Sequence, residues 1–196
     1  IYQNIFVLSD ADCPSNSIVG DTLVDPDPPA TPVATTNSPV CSGTTLELFA
    51  TTSTPGVPTW SWTGPNNFTS TDQNPTISDV LMAANGQYSV TVTILNCLSQ
   101  PGTVIAVIDS TPARPTIASN SPICTDSTLI ISATTATLVP MYWSWTGPLG
   151  FTSSNQTVFI PNVQLSDSGL YTVYATDSAN GCVSLPRSQW VEVNQT

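Results

Sequence analysis

The sequence contains no histidine and no lysine, and Arg114 and Arg187 are its whole stock of cationic side chains. That poverty excludes a nucleic-acid partner, because phosphate backbones are bound by clustered Lys and Arg that release counterions. Insertion into or docking on an anionic membrane is excluded on the same ground, and no apolar run reaches the roughly 18 residues that span a bilayer. No signal-peptide pattern opens the chain. Ile1 reads as the middle of a domain, so the sequence is expected to be a piece of something longer. No stretch joins Ala, Leu, Glu and Lys at a 3.6-residue period, which disfavours long helices. Without histidine, and with aspartates scattered rather than paired, no acid–base constellation is in view. The chain reads as a non-enzyme.

What is present points to strands. Hydrophobic residues make up 40% of the 196 positions, enough for a packed core, while the net charge is −11. Thr (30) and Ser (24) stand where surface charge is usual. Thr favours the pleated, half-buried geometry of a sheet, and the 18 Pro and 10 Gly punctuate turns. The composition is that of an all-β protein.

Internal repetition sets the architecture. Asn37-Ser-Pro-Val-Cys41 recurs 83 residues on as Asn120-Ser-Pro-Ile-Cys124. At the same offset Trp60-Ser-Trp62-Thr-Gly-Pro65 matches Trp143-Ser-Trp145-Thr-Gly-Pro148, Phe68 matches Phe151, and Gly86-Gln-Tyr88 matches Gly169-Leu-Tyr171. The last cysteine, Cys97 against Cys182, slips by two residues, which places an insertion after Tyr171. The reading is three segments: residues 1–28 as the closing strands of a preceding repeat with its linker, then repeats over 29–112 and 113–196. Pro26, Pro28, Pro29 and Pro32 before one repeat, and Pro112 and Pro115 before the next, are expected to stiffen the junctions.

Within each repeat short alternating runs are separated by turn residues, such as Leu46 with Leu48, Trp60 with Trp62, and Tyr88 with Val90 and Val92. Several such strands in about 80–85 residues predict tandem immunoglobulin-like β-sandwiches joined by short Pro-rich linkers. Trp62 and Trp145 stand as the core tryptophans, and Tyr88 and Tyr171 as tyrosine corners. The superfamily's second core cysteine is replaced by Val90 and Val173. Cys41 precedes the second strand and Cys97 follows the sixth, which the reading puts at one end of the sandwich. The expected disulfides are therefore Cys41–Cys97 and Cys124–Cys182, with Cys13 bonded to a partner upstream; no C-x-x-C metal or redox motif occurs.

Other residues carry weaker chemical readings. The Trp-x-Trp pairs fit core packing better than a sugar-stacking platform, with Trp60 and Trp143 the nearer to exposure. No cofactor is expected, apart from Ca²⁺ at the domain junctions, where Asp25, Asp27, Asp79, Asp109 and Asp177 are candidate ligands. Two or three carboxylates per junction fall short of the six to eight oxygens that calcium takes, so solvated acidic linkers are the favoured reading.

The chain resembles the Ig-like and PKD-like tandem repeats of Bacteroidetes surface proteins. The shared signature is N-S-P-x-C, here Asn37 to Cys41; then W-T-G-P and F-T-S, here Trp62 to Pro65 and Phe68 to Ser70; then G-x-Y-x-V, here Gly86 to Val90, and Cys97. It repeats 83 residues on. The resemblance implies giant secreted or cell-surface proteins, gliding-motility adhesins among them, commonly type IX secretion substrates. It also implies O-glycosylation at Asp-Ser/Thr-x triplets, here Thr22, Ser110, Ser127 and Ser178. The function read from all this is a structural or adhesive stalk presenting a distal tip or assembling into a filament. Its partners would be neighbouring repeats, identical chains in a bundle, and a cell-surface or glycan ligand. The alternative is a carbohydrate- or protein-binding module. An aromatic platform present in one copy only would favour the module, and equivalent residues in both copies favour the stalk.

Overall fold

The computed structural model describes residues 18–19, 22–23 and 28–196, and the chain divides into two compact units between Ile108 and Asp109. Ahead of residue 28, β1 (Ile18–Val19) pairs antiparallel with β2 (Thr22–Leu23). Cys13 and its expected upstream bond, Asp25, Asp27, Pro26 and the Thr22 side chain lie outside the described residues.

Alternation in the first unit becomes two facing sheets. Its strands are β3 (Val33–Thr36), β4 (Val40–Cys41), β5 (Leu46–Thr51), β6 (Thr59–Gly64), β7 (Phe68–Ser70), β8 (Thr76–Ile77), β9 (Gly86–Ile94), β10 (Cys97–Leu98) and β11 (Gly102–Ala106). One sheet runs β3-β5-β8; the other runs β7-β6-β9, with β10 and β11 both pairing with β9. After β12 (Ile108–Asp109), the second unit repeats the plan with β13 (Thr116–Ser119), β14 (Ile123–Cys124), β15 (Leu129–Thr134), β16 (Met141–Thr146), β17 (Thr152–Ser153), β18 (Thr157–Ile160), β19 (Gly169–Asp177), β20 (Arg187–Val191) and β21 (Val193–Asn194). Its sheets run β13-β15-β18 and β17-β16-β19-β20, and β14 lies parallel to β21. Each unit is an immunoglobulin-like sandwich, all-β as the composition required.

The cores are built from the residues that alternate. Leu46, Leu48, Trp62, Tyr88, Val90 and Val92 are fully buried in the first unit. Leu129, Ile131, Trp145, Tyr171 and Val173 take the same places in the second. Trp60 and Trp143 are buried as well, at 7% and 9% exposure, so neither Trp-x-Trp pair forms an open platform.

The repeated motifs turn out to be structural joints. In Asn37-Ser-Pro-Val-Cys41 the Asn37 side chain stands in for a strand: its amide donates to the Thr45 carbonyl at 3.2 Å, and its oxygen accepts from the Glu47 N–H at 2.9 Å. Ser38 Oγ bonds Val107 on the far sheet, across the cis Ser38–Pro39 peptide. Asn120 and Ser121 repeat this with Thr128, Ile130 and Glu192. The motif thus hands the first strand from one sheet to the other.

Trp-Thr-Gly-Pro and Gly-x-Tyr are two halves of a second joint. Tyr88 Oη donates to the Ala84 carbonyl at 3.0 Å, and Tyr171 Oη to Asp167 at 3.2 Å, forming the expected tyrosine corners. The Tyr88 ring lies on Gly64, where a β-carbon would overlap it, and Tyr171 lies on Gly147 at 2.8 Å from such a carbon. Gly86, at φ +137°, faces Pro65 in the same way that Gly169, at φ +153°, faces Pro148. Those conformations and contacts require glycine.

Two expectations need correction. β5 and β9 run in the same direction in opposite sheets: Gly43 N–H donates to the Val80 carbonyl beside the start of β5, and β9 begins six residues after Val80. A residue before β5 and a residue after β9 therefore lie at opposite ends. Cys41 sits by Val40, which donates to the Val107 carbonyl at the Gly86 end, while Cys97 pairs with Ile94 at the other. The length of β9 separates them by roughly 26 Å, against less than about 7 Å between the α-carbons of a disulfide. The second unit is built alike, Cys124 beside Asn194 and Cys182 beside Asp177. Cys41–Cys97 and Cys124–Cys182 are not the bonds of this structure. Cys41, Cys97 and Cys182 are each disulfide-bonded, and Cys124 is an exposed free thiol.

Four of the prolines expected to stiffen the junctions are also part of the folds that follow them. Pro29, Pro32, Pro112 and Pro115 are buried. Ala30 and Ala113 donate to Thr54 Oγ1 and Thr137 Oγ1, both at 2.8 Å.

Candidate functional site

Titratable side chains stand apart in both units. Among the described residues no group of three or more His, Cys, Asp or Glu comes together to hold a metal ion. Asp79 is exposed in a positive-φ turn ahead of Val80, and Asp109 is half-buried in β12. Asp177 is 7% exposed at the end of β19, where Oδ1 accepts from the Ala179 N–H at 2.8 Å and closes the local turn. The Asp177 carboxylate is therefore occupied in its own loop. Ser110, Ser127 and Ser178 are all exposed.

Burial raises the phenol pKa of Tyr88, and burial first and then the Asp167 carboxylate raise that of Tyr171. Both groups are structural. A hollow of about 360 Å³ opens beside the edge of Trp143, bordered by Thr135, Thr137, Val139, Met141 and Gln156.

The most distinctive surface is the outer face of the β17-β16-β19-β20 sheet. Since β16 turns Trp143 and Trp145 inward, it must turn Tyr142 and Ser144 outward, and Tyr142 is 67% exposed. On β19 the inward set is Tyr171, Val173 and Ala175, leaving Leu170, Thr172 and Tyr174 outward. Tyr174 faces Ser144 across the strand pair, one diagonal step from Tyr142 and within reach of an aromatic ring. At the other end of the face Leu170 lies opposite Trp190, which is 64% exposed. Between the two groups Thr172 Oγ1 and Ser188 Oγ stand 2.8 Å apart.

This face differs between the repeats. By register, Tyr142 corresponds to Thr59, Tyr174 to Thr91, Leu170 to Gln87 and Trp190 to Ile105. The first unit has hydroxyls where the second shows Tyr142 and Tyr174, and the exposed Ile105 where it shows Trp190. Reading the sequence for buried tryptophans missed these residues, although their departure from the repeat was a usable signal.

No protein-family profile and no curated protein matches the chain. Among solved structures, similarity extends to one of a mouse coronavirus receptor-binding domain complexed with its murine receptor, at 11% identity and TM-score 0.45, covering 83% of this chain and 99% of that one. It extends to three N-terminal domains of the outer capsid protein Hoc of bacteriophage RB49, at 17% identity and TM-score 0.40, covering 83% and 59%. Extracellular domains 3–5 of Drosophila OTK give 15% identity and TM-score 0.46, covering 86% and 60%. Strand order and register, not these likenesses, carry the fold.

Proposed function

We propose that the chain is a pair of extracellular immunoglobulin-like repeats of a secreted or cell-surface protein, structural and adhesive rather than enzymatic. The observation that carries this reading is duplication of the scaffold: the Asn-Ser-Pro joint, the Trp-Thr-Gly-Pro and Gly-x-Tyr joint and the core tryptophan recur in both units with the same bonds. Each repeated motif serves the fold, as expected of stalk modules whose task is to stand and extend. Three bonded cysteines support an oxidising compartment, outside the cytosol. A surface of Ser and Thr without lysine suits long exposure to proteases. The resemblance to Bacteroidetes gliding-motility and adhesin repeats, with type IX export, belongs to the same proposal. So do neighbouring repeats, or identical chains in a fibre, as partners.

The second reading, a binding module for carbohydrate or protein, is favoured by one observation: the aromatic face of the second unit has no counterpart in the first. The two readings are compatible if one repeat of a stalk is adhesive. Antibodies raised against the chain test the common premise. They should label intact producing cells or their medium; labelling confined to permeabilised cells would overturn it.

A further inference from the structure

We infer that the outer face of the β17-β16-β19-β20 sheet is a binding site for an extended, uncharged polysaccharide, with Trp190 and Tyr142 as its two stacking points. This rests on the binding-module reading of the same face, names its ligand class and stacking residues, and does not depend on where the protein resides.

The layout of the face selects the ligand. Rings sit at its two ends, Trp190 beside the aliphatic Leu170 and Tyr142 beside Tyr174, and hydroxyl side chains fill the middle. Leu170 and Tyr174 are four residues apart on one strand, roughly 13 Å, and the stacking points Trp190 and Tyr142, opposite Leu170 and Thr176, are roughly 20 Å apart along the strands. A protein interface concentrates its aromatic anchors centrally and keeps polar groups at the rim. Here the order is reversed. A flat apolar partner would bury Ser144 and Thr146 without satisfying their hydroxyls, and would leave the Thr172–Ser188 pair only the bond it makes to itself, which is costly. A sugar chain lying along the strands meets both demands, stacking the C–H faces of its rings on the aromatic ends and exchanging hydrogen bonds with the hydroxyls between.

Charge narrows the class further. None of the outward residues of β16, β19 or β20 is ionisable near neutral pH, Arg187 standing opposite the inward Val173 and Arg114 donating to the Pro186 carbonyl at the edge of the face, and the whole chain carries −11. An acidic polysaccharide would meet the net negative charge with only Arg114 and Arg187 at the border of the face to offset it, and so would a second copy of this chain. A basic protein would find no carboxylate there. An uncharged, polyhydroxylated polymer is the occupant that leaves nothing unpaired.

The test is affinity electrophoresis of the full 196-residue chain in native gels containing hydroxyethylcellulose, xylan, galactomannan or dextran, with polygalacturonate as the anionic comparison. Retardation is expected in at least one neutral gel and not in polygalacturonate. Trp190→Ala and Tyr142→Ala, both at exposed positions, should each weaken the retardation by about tenfold. Ile105→Ala on the first unit and Phe159→Ala on the opposite sheet should leave it intact. Trp190 is the one exposed tryptophan of five, so the retarding polymer should also shift the intrinsic fluorescence of the native chain and not that of Trp190→Ala. Unchanged mobility in every neutral gel would overturn the inference, as would retardation that both variants retain. Self-association in sedimentation, abolished by Trp190→Ala, would overturn it in favour of a second copy.

Discussion

Replacing Gly64 with alanine isolates the contact that locks the tyrosine corner. Gly64 has φ −169° and ψ −172°, an extended conformation open to any residue, so alanine brings no backbone strain. In the unfolded chain the substitution is worth roughly 0.4–1 kcal/mol in favour of folding. Everything unfavourable must come from the added β-carbon, which meets Cδ1 and Cε1 of Tyr88. The ring has nowhere to go. Its hydroxyl is bonded to the Ala84 carbonyl at 3.0 Å, and Phe68 packs against it edge to face at a centroid distance of 5.5 Å. Overpacking of a filled core costs about 1–3 kcal/mol, and a ring that slides off its corner forfeits about 1 kcal/mol of hydrogen bonding as well. The net loss is roughly 1–3 kcal/mol. In a unit of this size each kcal/mol moves Tm by about 4–8 °C, so the first unit's melting transition should fall by roughly 5–20 °C. Differential scanning calorimetry reads it, with the second unit as internal reference. Adding Tyr88→Leu should make Gly64→Ala nearly harmless, since the ring is gone. A Tm unmoved by Gly64→Ala, or a double variant whose losses simply add, would refute the reasoning.

Two further outcomes follow from the same geometry. The raised pKa of Tyr88 and Tyr171 means that the unfolded chain gives up these protons first. Their contribution is complete below pH of about 10 and is lost as pH rises toward the folded values; urea midpoints should drop in that window, and Tyr88→Phe should flatten the drop for the first unit, an unchanged profile speaking against it. At neutral pH an alkylating reagent should modify Cys124 in the folded, unreduced chain while Cys41, Cys97 and Cys182 stay unmodified until reduction. Mass spectrometry that finds any of those three labelled first would contradict the bonding described.

The scaffold was legible because burial writes itself into the sequence twice. Trp62, Tyr88, Trp145 and Tyr171 stood out as repeated aromatics, and each is a buried anchor. The role of Gly64 was not legible, since only the folded chain brings Trp-Thr-Gly-Pro against Gly-x-Tyr. The cysteines misled for a different reason. Position relative to a strand says which end a residue is near only when the strand's direction is known, and β5 and β9 point the same way. Two of the prolines read as stiffening each junction are buried in the fold, which the sequence did not show. Proline content reports a fixed φ and not whether the ring is packed.

The aromatic face shows where function becomes legible in a repeated chain. Inward positions of β16 and β19 are held by the core, so Trp143 repeats Trp60 and Val173 repeats Val90. Outward positions are free of that constraint, and water favours the hydroxyls that the first unit shows at Thr59 and Thr91. Tyr142 departs from that default, and Trp190 puts a ring where the first unit has Ile105, both exposed by about two thirds. An exposed ring left in contact with water forgoes about 25 cal/mol for each Å² that folding could have covered, so it adds nothing to the stability of the sandwich that bears it. Several such rings on one face, none on the matching face of the sister unit, mark a surface shaped for something other than folding. Repetition therefore identifies the scaffold, and the breaks in repetition identify the candidate site.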